Sequence, residues 1–281
     1  MKLIGSLLLV AAMAVGCASV DMPDPAAKEK IWVVTADHQL AAVRASQPRR
    51  LLDTKALQGL MPGDAVVGMD YRVARGVLFA LTRTGRLYTV NTGTGQLTLV
   101  GQSAIGDVLA GQAVGVDFNP TVDRIRVVTG AGQNLRLHPD TGALVSRDPA
   151  LAYAASDAQA GKSPRVVAAG YTYNTQNDKL TTNYVIDAAL GTLVVQGSIE
   201  GAQPVVSPNT GQLFTVGTLG TGPLDDVSFD IADVNNAAYI AATRAGSVQP
   251  VLYRVDLASG RAQRVGALPW SGPLRGMAIE P

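Results

Sequence analysis

The sequence predicts an all-β fold, a β-propeller of five four-stranded blades, on three observations. Short runs of alternating or continuous apolar residues recur along the chain, separated by Gly, Asn, Asp and Thr turn residues. Those runs group into units with a period of roughly fifty residues, the mark of a radial or stacked array. The chain also begins with strands that lack an inner partner and ends with one strand, Leu274 to Ile279, that lacks outer ones. Pairing that last strand with the first ones would close the ring and remove exposed sheet edges. Two tandem β-sandwiches would supply as many strands, but would explain neither the repeat nor the orphan strand.

The N-terminus stands outside this pattern. Lys2 precedes an apolar run, Leu3 to Val15, too short for a good membrane span but of signal-peptide length. The run closes on Ala14-Val15-Gly16-Cys17 and resembles a bacterial lipoprotein signal. That resemblance implies a signal peptide over residues 1–16, acylation of Cys17, and a tether to residue 30, with Ala14 departing from the more usual Leu. Ala18 after the cysteine implies, by the same resemblance, the outer membrane facing the periplasm. Cys17 is the one cysteine in the chain, so no disulfide staples the fold and packing alone must stabilise it.

The propeller is expected over residues 31–281. Ile31 to Thr35 and Gln39 to Val43 are the first strands, with a short third at Arg50-Leu51-Leu52 and a loop from Lys55 to Asp64. The first complete unit starts with Val66 to Arg72, an almost continuous apolar run suited to a strand covered on both faces. Val77 to Thr82, Arg86 to Val90 and Gln96 to Gly101 follow as a meander. The second unit, Gly115 to Leu144, is the clearest copy, and its Asp117 falls 47 residues after Asp70. A third, looser unit runs from Val166 to Val216, interrupted by an insertion, Gly197 to Thr210, with Pro204 and Pro208. The fourth spans Val227 to Val265.

Function classes narrow from composition. The net charge of +1 and the absence of a basic cluster argue against a nucleic-acid partner. Hydrophobic residues make up 47% of the chain, enough for a substantial core. His38 and His138 lie beside turn residues and read as surface turn histidines; no nucleophile elbow or HExxH spacing accompanies them. Asp70, Asp117 and Asp230 hold matching positions in three units. Such a ring near a central channel would hold a cation such as Ca²⁺, which prefers oxygen ligands, or supply the paired carboxylates of a glycosidase. The plainer expectation is that each Asp caps a strand or pairs within its own blade. Arg124 and Arg126 alternate along one strand and so share a face; with Arg136 and Asn119 they would clamp an anion, or else bridge to nearby aspartates.

The phrases Gly68-Met69-Asp70-Tyr71-Arg72, Gly85-Arg86-Leu87-Tyr88-Thr89, Gly115-Val116-Asp117-Phe118-Asn119-Pro120, Asp123-Arg124-Ile125-Arg126 and Asn134-Leu135-Arg136 together resemble a bacterial family catalogued as domain of unknown function 4394. The resemblance covers the chain from about Ile31 to Ile279, with Tyr171-Thr172-Tyr173-Asn174 departing from the pattern. It implies a propeller-like fold and brings no catalytic residues. The expectation is therefore a monomeric envelope lipoprotein, anchored to the bilayer through acylated Cys17. It would be a non-catalytic binding or scaffold propeller for an envelope protein, a glycan or a small ligand. The alternative is a glycan hydrolase or lyase using aspartates at the channel mouth.

Overall fold

The computed structural model describes residues 21, 24, 27–102, 104–106, 109 and 114–281. The signal segment and Cys17 lie outside the described residues. Strands β1 (Lys30–Thr35), β2 (Gln39–Arg44) and β3 (Gln47–Ala56) come first. Blade 1 is β4 (Val66–Arg72), β5 (Val77–Thr82), β6 (Leu87–Val90) and β7 (Leu97–Val100). Blade 2 is β8 (Val114–Asn119), β9 (Arg124–Thr129), β10 (Asn134–Leu137) and β11 (Leu144–Arg147). A two-residue strand, β12 (Ala152–Tyr153), precedes blade 3, which is β13 (Val166–Tyr171), β14 (Asn183–Asp187), β15 (Thr192–Gln196) and β16 (Gln212–Thr218). Blade 4 is β17 (Leu224–Ile231), β18 (Ala238–Arg244), β19 (Val251–Val255) and β20 (Ala262–Ala267), and β21 (Leu274–Ile279) ends the chain.

These strands form five sheets, one per blade, antiparallel throughout except where β12 joins β16. The fifth is composite, in the order β21-β1-β2-β3, with Ile31 opposite Ile279 and Val33 opposite Met277. Closure by the C-terminal strand is thus in place. The inner strands β4, β8, β13, β17 and β21 touch one another in that order around the ring, and β21 returns to β4.

Each inner strand is covered by a blade on either side, which is why β4 and β13 are buried along their whole length. The outer strands β7 and β11 are exposed or half-buried at most positions. The core is therefore divided among the blade interfaces. One apolar cluster, around Trp32, Met69 and Leu78, joins the composite blade to blade 1. Another, around Phe79, Phe118 and Ile125, joins blades 1 and 2. Similar clusters fill the remaining interfaces.

Two elements differ from the sequence reading. β3 is ten residues long rather than three, because its alternation Gln47 to Ala56 is mostly polar and only its backbone pairing with β2 defines it. Blade 3 carries a fifth strand, β12, pairing parallel to β16 through Ala152–Gln212 and Tyr153–Leu213. Two residues have too little pattern to announce a strand.

Candidate functional site

The matching aspartates are a clasp between blades, set in a Gly-x-Asp phrase in blades 1 and 2 and in Ser228-Phe229-Asp230 in blade 4. Gly68 and Asp70 share one face of β4, as Gly115 and Asp117 do of β8. A Cβ at Gly115 would stand 2.7 Å from the backbone nitrogen of Ala169 in the next blade, so only glycine admits that approach. The close approach brings the neighbouring backbone within reach of the aspartate. Asp70 accepts the Phe118 N–H at 2.7 Å, Asp117 the Tyr171 N–H at 3.0 Å, and Asp230 the Ile279 N–H at 2.6 Å. Asp70 and Asp230 each also accept the N–H of the following residue, from Tyr71 and Ile231. Asp70 and Asp230 thus bind within their own blade, as the plainer expectation had it, and all three aspartates also reach the next blade, which it did not foresee.

All three aspartates are buried, and oxygens from the three lie within 4.8 Å of one another. Burial, and then the charge of the other aspartates, pushes the carboxyl groups of Asp70 and Asp117 well above the usual carboxylate range. Burial and the nearby Asp233 do the same to Asp230, while burial lifts Asp233 itself to about 6. Such a cluster is held together by shared protons or by a cation; three carboxylates form an oxygen-only donor set that Ca²⁺ would accept. Hydrolysis of a polysaccharide needs two carboxylates flanking a bond in an open cleft. Here the carboxylates are enclosed between inner strands and committed to backbone N–H groups.

The remaining candidates meet elsewhere. Asn119, Arg124, Arg126 and Arg136 line one cavity of about 420 Å³ between blades 2 and 3, with Tyr171 and Ser207 to Asn209. Register explains the convergence: Arg126 pairs opposite Arg136 on β10, and Arg124 opposite Asn119 on β8. Arg126 is buried and donates to Asn134 Oδ1 at 2.8 Å, Asp148 Oδ2 at 2.6 Å, Asn209 Oδ1 at 2.5 Å and the Tyr171 hydroxyl at 3.3 Å. Arg136 holds both oxygens of Asp148 at 2.9 Å, a bidentate pair. Arg124 donates to the carbonyls of Asp123 and Val122. The Asn119 side chain caps the turn by accepting from Thr121.

Two guanidiniums, Arg126 and Arg136, thus share one carboxylate, Asp148, while Arg124 donates to backbone carbonyls, and the cavity keeps an excess of positive charge. Asp148 is held below the usual carboxylate range: burial opposes its charge, and hydrogen bonds from Arg136 and Arg126 outweigh that. Sequence reasoning missed Asp148, Tyr171 and Asn209. The first follows β11 without a motif. Tyr171 stood in the phrase that departed from the family pattern, and Asn209 in the proline-bearing insertion, so both lay in segments marked as irregular.

Residues 39–278 match the family described as Domain of unknown function (DUF4394). No curated protein matches the chain. Similar solved structures include a structural genomics protein of unknown function from Bacteroides thetaiotaomicron VPI-5482, at 14% identity and a TM-score of 0.51, covering 88% of this chain and 64% of that one. The dihydro-heme d1 dehydrogenase NirN is similar at 16% identity and a TM-score of 0.38, covering 92% of this chain and 47% of that one. The Myxococcus xanthus glutaminyl cyclase is similar at 11% identity and a TM-score of 0.45, covering 73% and 77%. This chain therefore spans about half of NirN and under two thirds of the Bacteroides protein. Likeness at these identities concerns the fold alone.

Proposed function

The chain belongs to the DUF4394 family, and from that premise we propose that it is a non-catalytic binding propeller of the bacterial envelope that takes an anionic ligand between blades 2 and 3. One observation carries this reading: Arg124, Arg126, Arg136, Asn119, Tyr171 and Asn209 line a single cavity in which Arg126 and Arg136 share one carboxylate and Arg124 meets only backbone carbonyls among the described residues. Guanidinium forks suit carboxylate and phosphate groups, so an acidic envelope glycan is the ligand class that fits. The aspartates are the clasp of the ring, which removes the principal candidates for hydrolysis.

The anchor is acylated Cys17, and the tether supports a side-on mounting. Asp21 meets Arg49 at 3.2 Å and also Arg264, Asp24 meets Arg254 at 3.1 Å, and Glu29 accepts from Asn235 and Tyr239. These partners lie where blade 4 meets the composite blade. Four residues of chain reach at most about 14 Å, so lipid on Cys17 would draw that rim to the bilayer. The rim presents Arg49, Arg50, Leu51 and Leu52 exposed on β3, a basic and apolar set suited to a lipid surface. In the ring order the basic cavity lies on the far side, open to a ligand in the periplasm.

The test is binding of an oligogalacturonate and of its neutral methyl ester to the tetherless protein by calorimetry. The acidic form should bind, more weakly as salt rises, and the ester should not. Arg124→Gln, which removes a guanidinium without breaking an ion pair among the described residues, should weaken binding about tenfold, or 1.4 kcal/mol. Equal binding of acid and ester, indifferent to Arg124→Gln, would refute the reading.

A further inference from the structure

A second cavity, of about 600 Å³, opens on the opposite face of the ring, where the inner strands begin. Arg165 and Val167 come from the start of β13, Asp225 and Asp226 from β17, Thr243 from the end of β18, and Gly272 and Pro273 from the approach to β21. Its volume lies within the roughly 300–1,000 Å³ range of small-molecule sites.

The polar groups in this wall are divided in a particular way. Asp226 and Thr243 are paired across β17 and β18, and both are more than nine-tenths buried. Asp226 accepts the Leu274 N–H at 2.9 Å, and Asp225 accepts the Gly246 N–H at 3.1 Å. The Thr243 hydroxyl is buried with no hydrogen-bond partner among the described residues, a cost that a structural residue would avoid by being valine. Arg165 brings the opposite charge and is fixed by donating to the Leu224 carbonyl. Val167, Val248 and Pro273 supply apolar surface between the charged groups.

We infer that this cavity binds a small aliphatic zwitterion, a free amino acid. Its ammonium meets Asp226 and the Thr243 hydroxyl, its carboxylate meets Arg165, and its side chain lies on Val167, Val248 and Pro273. Burial raises the Asp226 carboxyl to about 6, against the Leu274 N–H and the charges of Arg275 and Arg165. An ammonium group would supply the counter-charge that this carboxylate needs to ionise fully. The site lies on the opposite face from the arginine cavity, shares no lining residue with it and differs in charge, so either reading can fail alone.

The experiment titrates the protein with L-leucine, N-acetyl-L-leucine and isoamylamine by calorimetry. Leucine should bind saturably, and each singly charged analogue at least about tenfold more weakly. Val248→Trp, at a residue 70% exposed on the cavity wall, should block the site without touching the core. Asp226→Asn and Thr243→Val should weaken leucine, with folding checked by the melting curve, whereas Arg124→Gln should leave it unchanged. No saturable leucine binding, equal binding of the three probes, or leucine binding indifferent to both Val248→Trp and Asp226→Asn would overturn the inference.

Discussion

Asp70, Asp117 and Asp230 accept the backbone of the next blade, but their burial, and the charge of the neighbouring aspartates, costs them their easy ionisation. A carboxyl whose folded pKa is raised binds more protons folded than unfolded between its two pKa values, so stability falls as pH rises through that window. For Asp226 and Asp233 the window runs from the ordinary value of 3.8 to about 6, and the three clasp aspartates extend it upward. Asp148, Asp64 and Glu280 are depressed instead, and their contribution is lost in acid. The melting temperature in EDTA should therefore rise as pH falls from 8 towards 5 and drop below about 4. Thermal melts across that range test the sign, and a rise confined to Ca²⁺ at pH 8 would identify a cation in place of the protons. Asp233→Asn removes a like charge beside the cluster and should raise the melting point at pH 8 by about 2–4 °C. At pH 4.5, where Asp233 is already protonated, the same variant should change little.

At the scale of the strand, the Gly-x-Asp phrase works as one piece. Glycine lets the next backbone approach, and the aspartate two residues on grips it. Gly115→Ala puts a methyl 2.7 Å from the Ala169 nitrogen, a backbone atom that cannot swing aside. It should cost about 1–3 kcal/mol, as overpacking does, and chemical denaturation would measure it. A Gly115→Ala protein as stable as the wild type would mean that blades 2 and 3 can part without loss. The element also explains where the pattern stops. In blade 3 Gly170 holds the place of the aspartate, and a Cβ there would meet the Phe229 ring of blade 4 at 3.0 Å. In the composite blade Ala278 holds that place, fully buried beside the cluster joined to blade 1.

The ring as a whole depends on β21. Ile279, Met277 and Leu274 pack in the core cluster between the composite blade and blade 4, while Ala278 lies in the cluster on the other side. Asp226 and Asp230 both grip β21 through its backbone. Deleting residues 274–281 should abolish cooperative unfolding, and calorimetry showing an unchanged transition would contradict closure. The proposed anchor is tested at this scale too. Labelling with a palmitate analogue should mark the wild type and not Cys17→Ala. In liposomes, a fluorophore at Leu52 on the mounted rim should be quenched by lipid-borne quencher and one at Val145 on β11 should not. Equal quenching would reject the side-on mounting.

The sequence by itself determined the ring: its period, its turn residues and its orphan strand Leu274 to Ile279 required closure, because an open array would leave edges unpaired. It also placed Asp70, Asp117 and Asp230 at equivalent positions, and put Arg124 and Arg126 on one face. Only the tertiary structure decided what those residues do. Whether an aspartate reaches the next blade depends on the distance between inner strands, which Gly68 and Gly115 help to set in blades 1 and 2 and no spacing within a strand reveals. The partners of the arginines, Asp148, Tyr171 and Asn209, come from three separate segments, and Asn209 lies 83 residues from Arg126. Strand periodicity is local and can be read along the chain. A cavity between blades is a product of packing, and it takes shape only when distant segments close around it.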